Sequence, residues 1–328
     1  AFFQISGAGH EAVLVAAGLL LKPGHDWFFP YYRDRALCLA LGITPRDMLL
    51  AAVGSKDDPS GGGRQMPSHW SDRQRHIPSQ SSCTGTQCLH AVGCAEAGLI
   101  FDRVHDIPDR HARYALGEVT YVSVGDGATS EGEFWESLNT ACTNRLPVLF
   151  LVEDNGYAIS VPVEYQTPGG DISKVVEGIP GLRVFRCDGT DYLDSHRTLH
   201  QAITHVRGGH GPVLVHATVI RPYSHSLSDD ERLYKTAAER EAEATRDPIP
   251  KLRQYLLEAG LATEADFDAI LAAVEREVNQ AADEALAAPR PDPRTAGLYV
   301  FSPDVDPASA AFVSEPEPQG KPDTMVAA

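Results

Sequence analysis

Two strand-like runs end in polar turns that must share one edge of a sheet, and this pairing restricts the fold more than anything else in the chain. The first run, Glu118-Val119-Thr120-Tyr121-Val122-Ser123-Val124, is β-branched and aromatic without Pro or Gly, so it predicts a buried strand that stops at Gly125. Gly125-Asp126-Gly127 follows as a tight turn. Ala128-Thr129-Ser130 then offers capping hydroxyls and Glu131 and Glu133 offer early acidic residues, which predicts a helix from there to about Asn144. Pro147-Val148-Leu149-Phe150-Leu151-Val152 is the second buried run, and Asp154-Asn155-Gly156-Tyr157 is its closing turn. A strand-helix-strand unit of this kind is parallel and right-handed, which places both turns on the same edge. An acid after one strand and an amide after the next then aim oxygen ligands into one crevice, as a small hard cation requires. The exposed amides of the intervening helix would face any anion held there. A Gly-Asp-Gly turn by itself is common; the second turn gives it meaning.

The remaining pattern alternates helix and strand signals, which predicts one large α/β domain over residues 1–288 with a mostly parallel central sheet and helices on both faces. Helices are expected over 9–21, 45–53, 192–207, 251–259 and 264–288, and strands over 182–187 and 213–219. Ser81 to Gln87 reads as a hydroxyl-capped entry to a small-residue helix. Residues 55–75 mix Gly61-Gly62-Gly63 with Arg64, Arg73 and Arg75 but lack the GK[ST] ending of a phosphate loop, so a loop near the site mouth is expected. Residues 289–328 are proline-rich and read as a linker or docking arm. The chain has 328 residues and a net charge of −17, which argues against nucleic acid as partner. No membrane span or signal peptide is evident. Its six cysteines show no CxxC and no zinc spacing, which fits a reduced cytoplasmic protein. Cys83, Cys88 and Cys94 are expected to be buried packing residues.

The paired turns match the thiamin diphosphate signature, and the chain resembles the thiamin diphosphate-dependent enzymes. That resemblance implies Mg2+ held by the side chains of Asp126 and Asn155 and by the carbonyl of Tyr157, with Gly125, Asp126, Gly127, Ala128 and Asn155 at the cofactor. Asp154 stands where the family has a first Asn, which leaves the ligands intact and changes the charge beside them. Further blocks occur in family order: Gly9-His10-Glu11-Ala12, Phe29-Pro30-Tyr31-Tyr32-Arg33-Asp34, Gly63-Arg64-Gln65-Met66-Pro67, Ser81-Ser82-Cys83-Thr84-Gly85-Thr86-Gln87 and His225-Ser226-Leu227-Ser228-Asp229-Asp230. Together they resemble the alpha subunit of the 2-oxo acid dehydrogenase E1 component, branched-chain type.

By that resemblance Tyr32 and Arg33 meet the diphosphate, where a guanidinium fork suits phosphate oxygens. Ser82 and Thr84 meet the cofactor, and Ser81, Thr86 and Gln87 map to ligands of a monovalent cation such as K+. His225 is singled out among 13 histidines as a diphosphate contact and as the catalytic group assisting acyl transfer. Ser226 matches a serine that a kinase modifies in some relatives. The implied reaction is oxidative decarboxylation of a branched-chain 2-oxo acid and acyl transfer to the lipoyl domain of an E2 partner. The activating glutamate is expected from an E1 beta subunit, so the chain alone should be inactive and its assembly α2β2. The proline-rich end and the lack of an initial Met also suit the alpha half of a fused alpha/beta homodimer. Pyruvate or acetoin dehydrogenase alpha subunits, a degenerate scaffold subunit and an unrelated magnesium phosphotransferase stay open as alternatives; the last lacks any P-loop or kinase motif.

Overall fold

The computed structural model describes residues 4–310 except 109, 111–113, 301, 303, 305 and 307. It divides into two units, residues 1–290 and 291–328. The second unit contains, among its described residues, a 3-10 turn at Pro293–Thr295, where the Asp292 side chain accepts from the Arg294 amide. The rest of the proline-rich end, from 311 onward, lies outside the described residues.

A five-stranded sheet of order β1-β2-β3-β7-β6 forms the centre of the first unit, and every neighbouring pair in it is parallel. The strands are β1 (Trp27–Phe29), β2 (Thr120–Gly125), β3 (Val148–Asp154), β6 (Arg183–Asp188) and β7 (Val213–Thr218). Tyr157–Ala158 (β4) and Val161–Pro162 (β5) make a small antiparallel pair. β2 and β3 are buried along their whole length because both faces of the sheet are covered. Alternate side chains feed two separate cores. Tyr121, Leu149, Leu151, Val213 and Val215 meet the helices Glu11–Leu20, Arg35–Ala40 and Tyr192–Arg207 on one face. Val122, Val124, Phe150, Val152 and Leu214 meet Thr86–Arg103, Gly132–Asn144 and Ile172–Val176 on the other. The expected α/β class with helices on both faces is therefore present. No helix among the described residues is long and apolar enough to cross a membrane.

Three local expectations are corrected. The turn after β2 does not open directly into a helix: Asp126–Ser130 is a 3-10 turn, Glu131 is extended, and the α-helix starts at Gly132. The Thr129 hydroxyl donates to the Asp126 carbonyl at 2.7 Å, which closes the tighter turn. The helix after the serine-rich segment starts at Thr86 and is capped by Gly85 at φ +82°, not by a hydroxyl. Cys83 therefore lies in the loop and is exposed, whereas Cys88 is buried. The third concerns Cys94, which is half-buried and not a fully buried packing residue; β1, a three-residue edge strand, is too short for periodicity to reveal. The glycine-rich segment after residue 55 is organised around buried Asp58, whose carboxylate accepts from the amides of Ser60, Gly61 and Gly63.

Candidate active site

Because all five strands run parallel, the segments leaving β1, β2, β3 and β7 emerge on one edge, the usual ligand edge of an open parallel sheet. They enclose a cavity of about 370 Å³. Tyr32 reaches it after β1, Gly125 at the end of β2, Asp126, Gly127 and Ala128 just beyond it, Tyr157 after β3 and His225 after β7. The loop before helix Thr86–Arg103 adds Ser81, Ser82, Cys83, Thr84 and Gln87. Arg33, Thr86 and Asn155 are not in its lining. Gln87 donates its amide to the Ser123 carbonyl at 3.2 Å, and the Ser81 hydroxyl accepts from the Cys83 amide at 3.3 Å.

Asp126 is buried at the crevice, 2 % exposed. One carboxylate oxygen accepts from Gln166 Nε2 at 2.9 Å and the other faces the Asn155 amide at 3.4 Å. Asn155 Oδ1 accepts from the Tyr157 amide at 3.3 Å, and the bond from the Asn155 amide to Asp126 ties one turn to the other. Burial, and then the like charge of Asp154, push the Asp126 acid up to about 7. A carboxylate stripped of water beside a second acid is the environment that a bound cation reverses. Among the described residues no group of three or more His, Cys, Asp or Glu is arranged to hold a metal. An ion here would draw on one carboxylate, one amide oxygen, one carbonyl and the oxygens of a phosphate ligand, a donor set suited to magnesium. The residues present fit a metal-bound diphosphate.

Asp154 points away from this set. It accepts from the Gly156 amide at 2.9 Å and pairs with His216 Nε2 at 2.7 Å, while His216 Nδ1 lies 3.3 Å from Asp171. The acid in place of an amide is thus matched by an imidazole on the neighbouring strand.

Arg33 is hydrogen-bonded to His225. It is 1 % exposed and each of its nitrogens bonds to protein: Nε to Tyr31 Oη at 3.1 Å, Nη1 to the Ser6 carbonyl at 2.6 Å, and Nη2 to His225 Nδ1 at 3.0 Å. A guanidinium has no acceptor, so Nδ1 must accept and the imidazole proton sits on Nε2. Burial, then Arg33 and Arg221, hold the His225 pKa down to about 4. His225 is consequently neutral near pH 7, oriented by one arginine, with Asp229 accepting from its backbone amide at 2.8 Å. Tyr32 stacks edge-on to the same ring at 6.1 Å. Ser226 is buried, its hydroxyl 3.0 Å from that of Ser228.

Two residues at the site carry no sequence signal. Arg221 is 2 % exposed and donates to the Ile159 carbonyl and Tyr234 hydroxyl, leaving Nε and Nη1 buried without a partner. Glu131 lines the cavity because it is extended between two helical segments. An isolated loop arginine and a glutamate in an expected helix give no local cue. Gly127 has a clearer physical basis: a Cβ there would fall 2.6 Å from the Cβ of Ala158. Replacing Gly127 with Ala is expected to pry the two turns apart and weaken thiamin diphosphate binding about tenfold or more. Adding Ala158→Gly should restore much of it; a titration in which the double variant is no better than Gly127→Ala contradicts this packing.

Comparison with known proteins agrees with the geometry. Residues 1–294 match the family described as dehydrogenase E1 component. The chain is 35 % identical over 302 residues to the 2-oxoisovalerate dehydrogenase subunit alpha of Bacillus subtilis, covering 92 % of this chain and 87 % of that protein. It is 36 % identical over 255 residues to the 3-methyl-2-oxobutanoate dehydrogenase subunit alpha of Mycobacterium tuberculosis, covering 77 % of this chain and 62 % of that longer protein. Identity to the pyruvate dehydrogenase E1 component subunit alpha of Mycoplasma pneumoniae is 32 % over 286 residues, covering 86 % of this chain and 72 % of that protein. Polar turns on one edge of a parallel sheet, and a family match that spans the whole first unit, lead to one assignment: the chain belongs to the dehydrogenase E1 component family, for which thiamin diphosphate is the implied cofactor.

Proposed function

We propose that this chain is the alpha subunit, or alpha half, of a thiamin diphosphate-dependent branched-chain 2-oxo acid dehydrogenase. The observation that carries the reading is the convergence of Asp126, Tyr157, Tyr32 and His225 on one cavity at the sheet edge. Asp126 and Asn155 would hold Mg2+ through side-chain oxygens and Tyr157 through its carbonyl, with the amides of the 125–128 turn facing the diphosphate. Ser81, Thr86 and Gln87 remain the candidate ligands of a K+ ion. Bound thiamin diphosphate supplies the electron sink that decarboxylation of a 2-oxo acid needs. The chain's own part is to bind the diphosphate end, exclude water around it, and present the His225 Nε2 proton to the acyl acceptor, a lipoyl group of E2. Arg33 keeps that proton in place. The names of the 35 % and 36 % identical relatives favour a branched-chain substrate over pyruvate.

Among the described residues the cavity lining offers the carboxylates of Asp126 and Glu131, both in the segment that leaves β2 at the diphosphate end. Activation of the far end of the cofactor then falls to an E1 beta partner, separate or fused. The test is turnover of 3-methyl-2-oxobutanoate, pyruvate and acetoin side by side, read as decarboxylation of the two 2-oxo acids and as carbon–carbon cleavage of acetoin to acetaldehyde, with thiamin diphosphate, Mg2+ and a beta partner supplied. The branched-chain acid should turn over fastest, and the chain alone should be inactive. Preference for pyruvate would reassign the substrate, and robust turnover without a partner would remove the alpha-subunit reading.

A further inference from the structure

Helix Glu264–Ala287 carries Phe267, Leu271, Val274, Val278, Ala281 and Ala285 at alternating spacings of four and three, the seam of a heptad repeat. Only its end is used. Ala281 and Ala285 are 5 % and 2 % exposed, packed against helix Pro45–Val53, and Arg46 of that helix pairs with Glu284 at 2.8 Å. Upstream, Leu271, Val274 and Val278 are 58 %, 48 % and 41 % exposed, with Ile270 beside them at 58 %. This half of the helix leaves its seam exposed, and Thr263 and Asp266 close a full capping box at its start. The Arg253 guanidinium lies over the Phe267 ring at 5.1 Å and shelters the first seam position.

The charges beside the seam say what can cover it. Asp268 and Glu275 flank it on one side, and Glu277 and Glu284 on the other; the one basic residue of the helix, Arg276, lies at the outward heptad position. A second copy of the helix would set acid against acid along both flanks, which is unfavourable. Where the seam is already covered, the covering helix brings an arginine to a flanking glutamate. We propose that the open half docks a helix of another protein chain whose apolar seam is flanked by Lys or Arg, continuing the pairing that Arg46 begins.

The test uses two labelled four-heptad helical peptides with leucine seams, one with lysine and one with glutamate at the flanks, titrated into the purified full-length chain. The lysine peptide should bind about tenfold tighter or more than the glutamate peptide. Its binding should be lost in Leu271→Lys/Val274→Lys at an unchanged melting temperature, and the peptide preference should weaken or reverse in Glu275→Lys/Glu277→Lys. Equal binding of both peptides overturns the proposal. So does lysine-peptide binding that survives Leu271→Lys/Val274→Lys, since that is non-specific attraction to an acidic protein. Self-association of the wild type that the same variant abolishes would show the occupant to be a second copy.

Discussion

Replacing Asp126 with Asn is expected to reduce magnesium-dependent thiamin diphosphate binding by on the order of 100-fold, about 2.7 kcal/mol, while leaving the protein as stable as the wild type or more so. The two halves of the expectation have one cause. Asp126 is buried beside Asp154 and its acid is pushed up to about 7, so the carboxylate is held at a cost that its hydrogen bonds leave uncompensated and a bound cation would offset. An amide keeps the shape and the bond from Gln166 can be reversed, but the negative charge that a divalent ion requires is gone. Calorimetric titration of the cofactor with Mg2+, set beside a thermal melt of the free protein, separates binding from stability. Wild-type affinity in Asp126→Asn would dismiss this residue as a ligand; a large fall in melting temperature would recast it as structural.

The second large effect concerns His225. With the beta partner and a lipoyl acceptor present, His225→Gln should lower turnover by about 10²- to 10⁴-fold, the range of a lost general acid or base. Arg33→Met should also lower it, because the ring then loses the donor that fixes its tautomer. A pH signature separates this positioning role from a packing one. The folded value of His225 is about 4 against an ordinary 6.5, so between those values the unfolded chain binds more protons than the folded one. Stability contributed by the neutral ring is thus fully present above about 6.5 and declines as pH falls toward 4. His225→Gln should show a shallower loss of melting temperature across that window, and Arg33→Met should shift it upward because a repelling charge is removed. Parallel melting curves for wild type and His225→Gln would contradict the depressed value.

Much of this site is legible in the sequence because it sits where composition changes abruptly. Buried strands that run straight into Gly125-Asp126-Gly127 and Asp154-Asn155 leave no freedom about which sheet edge those residues occupy. The residues that depend on distant partners are less legible. The partners of Arg33 within the chain are Ser6, Tyr31 and His225, and the last lies far along the sequence. The His216 that answers Asp154 is hidden for the same reason: it lies on β7, and only the pairing of β3 with β7 brings them together. Ser81 and Ser82 suggest a hydroxyl cap, but Gly85 takes that place at a positive φ, in contact range of Glu131. Local propensity proposed the cap, and the approach of a neighbouring turn decided it.

The register of β2 against β3, with Gly125 opposite Glu153, has an evolutionary consequence. A single inserted residue in either strand would slide Asp126 past Asn155 by about 3.3 Å, more than the whole bond length from magnesium to an oxygen. The helix and loops that connect the strands transmit no such displacement. Length variation among descendants of this sequence should therefore collect in the connections and be purged from the strands, so that the sheet works as a ruler for the distance between two turns.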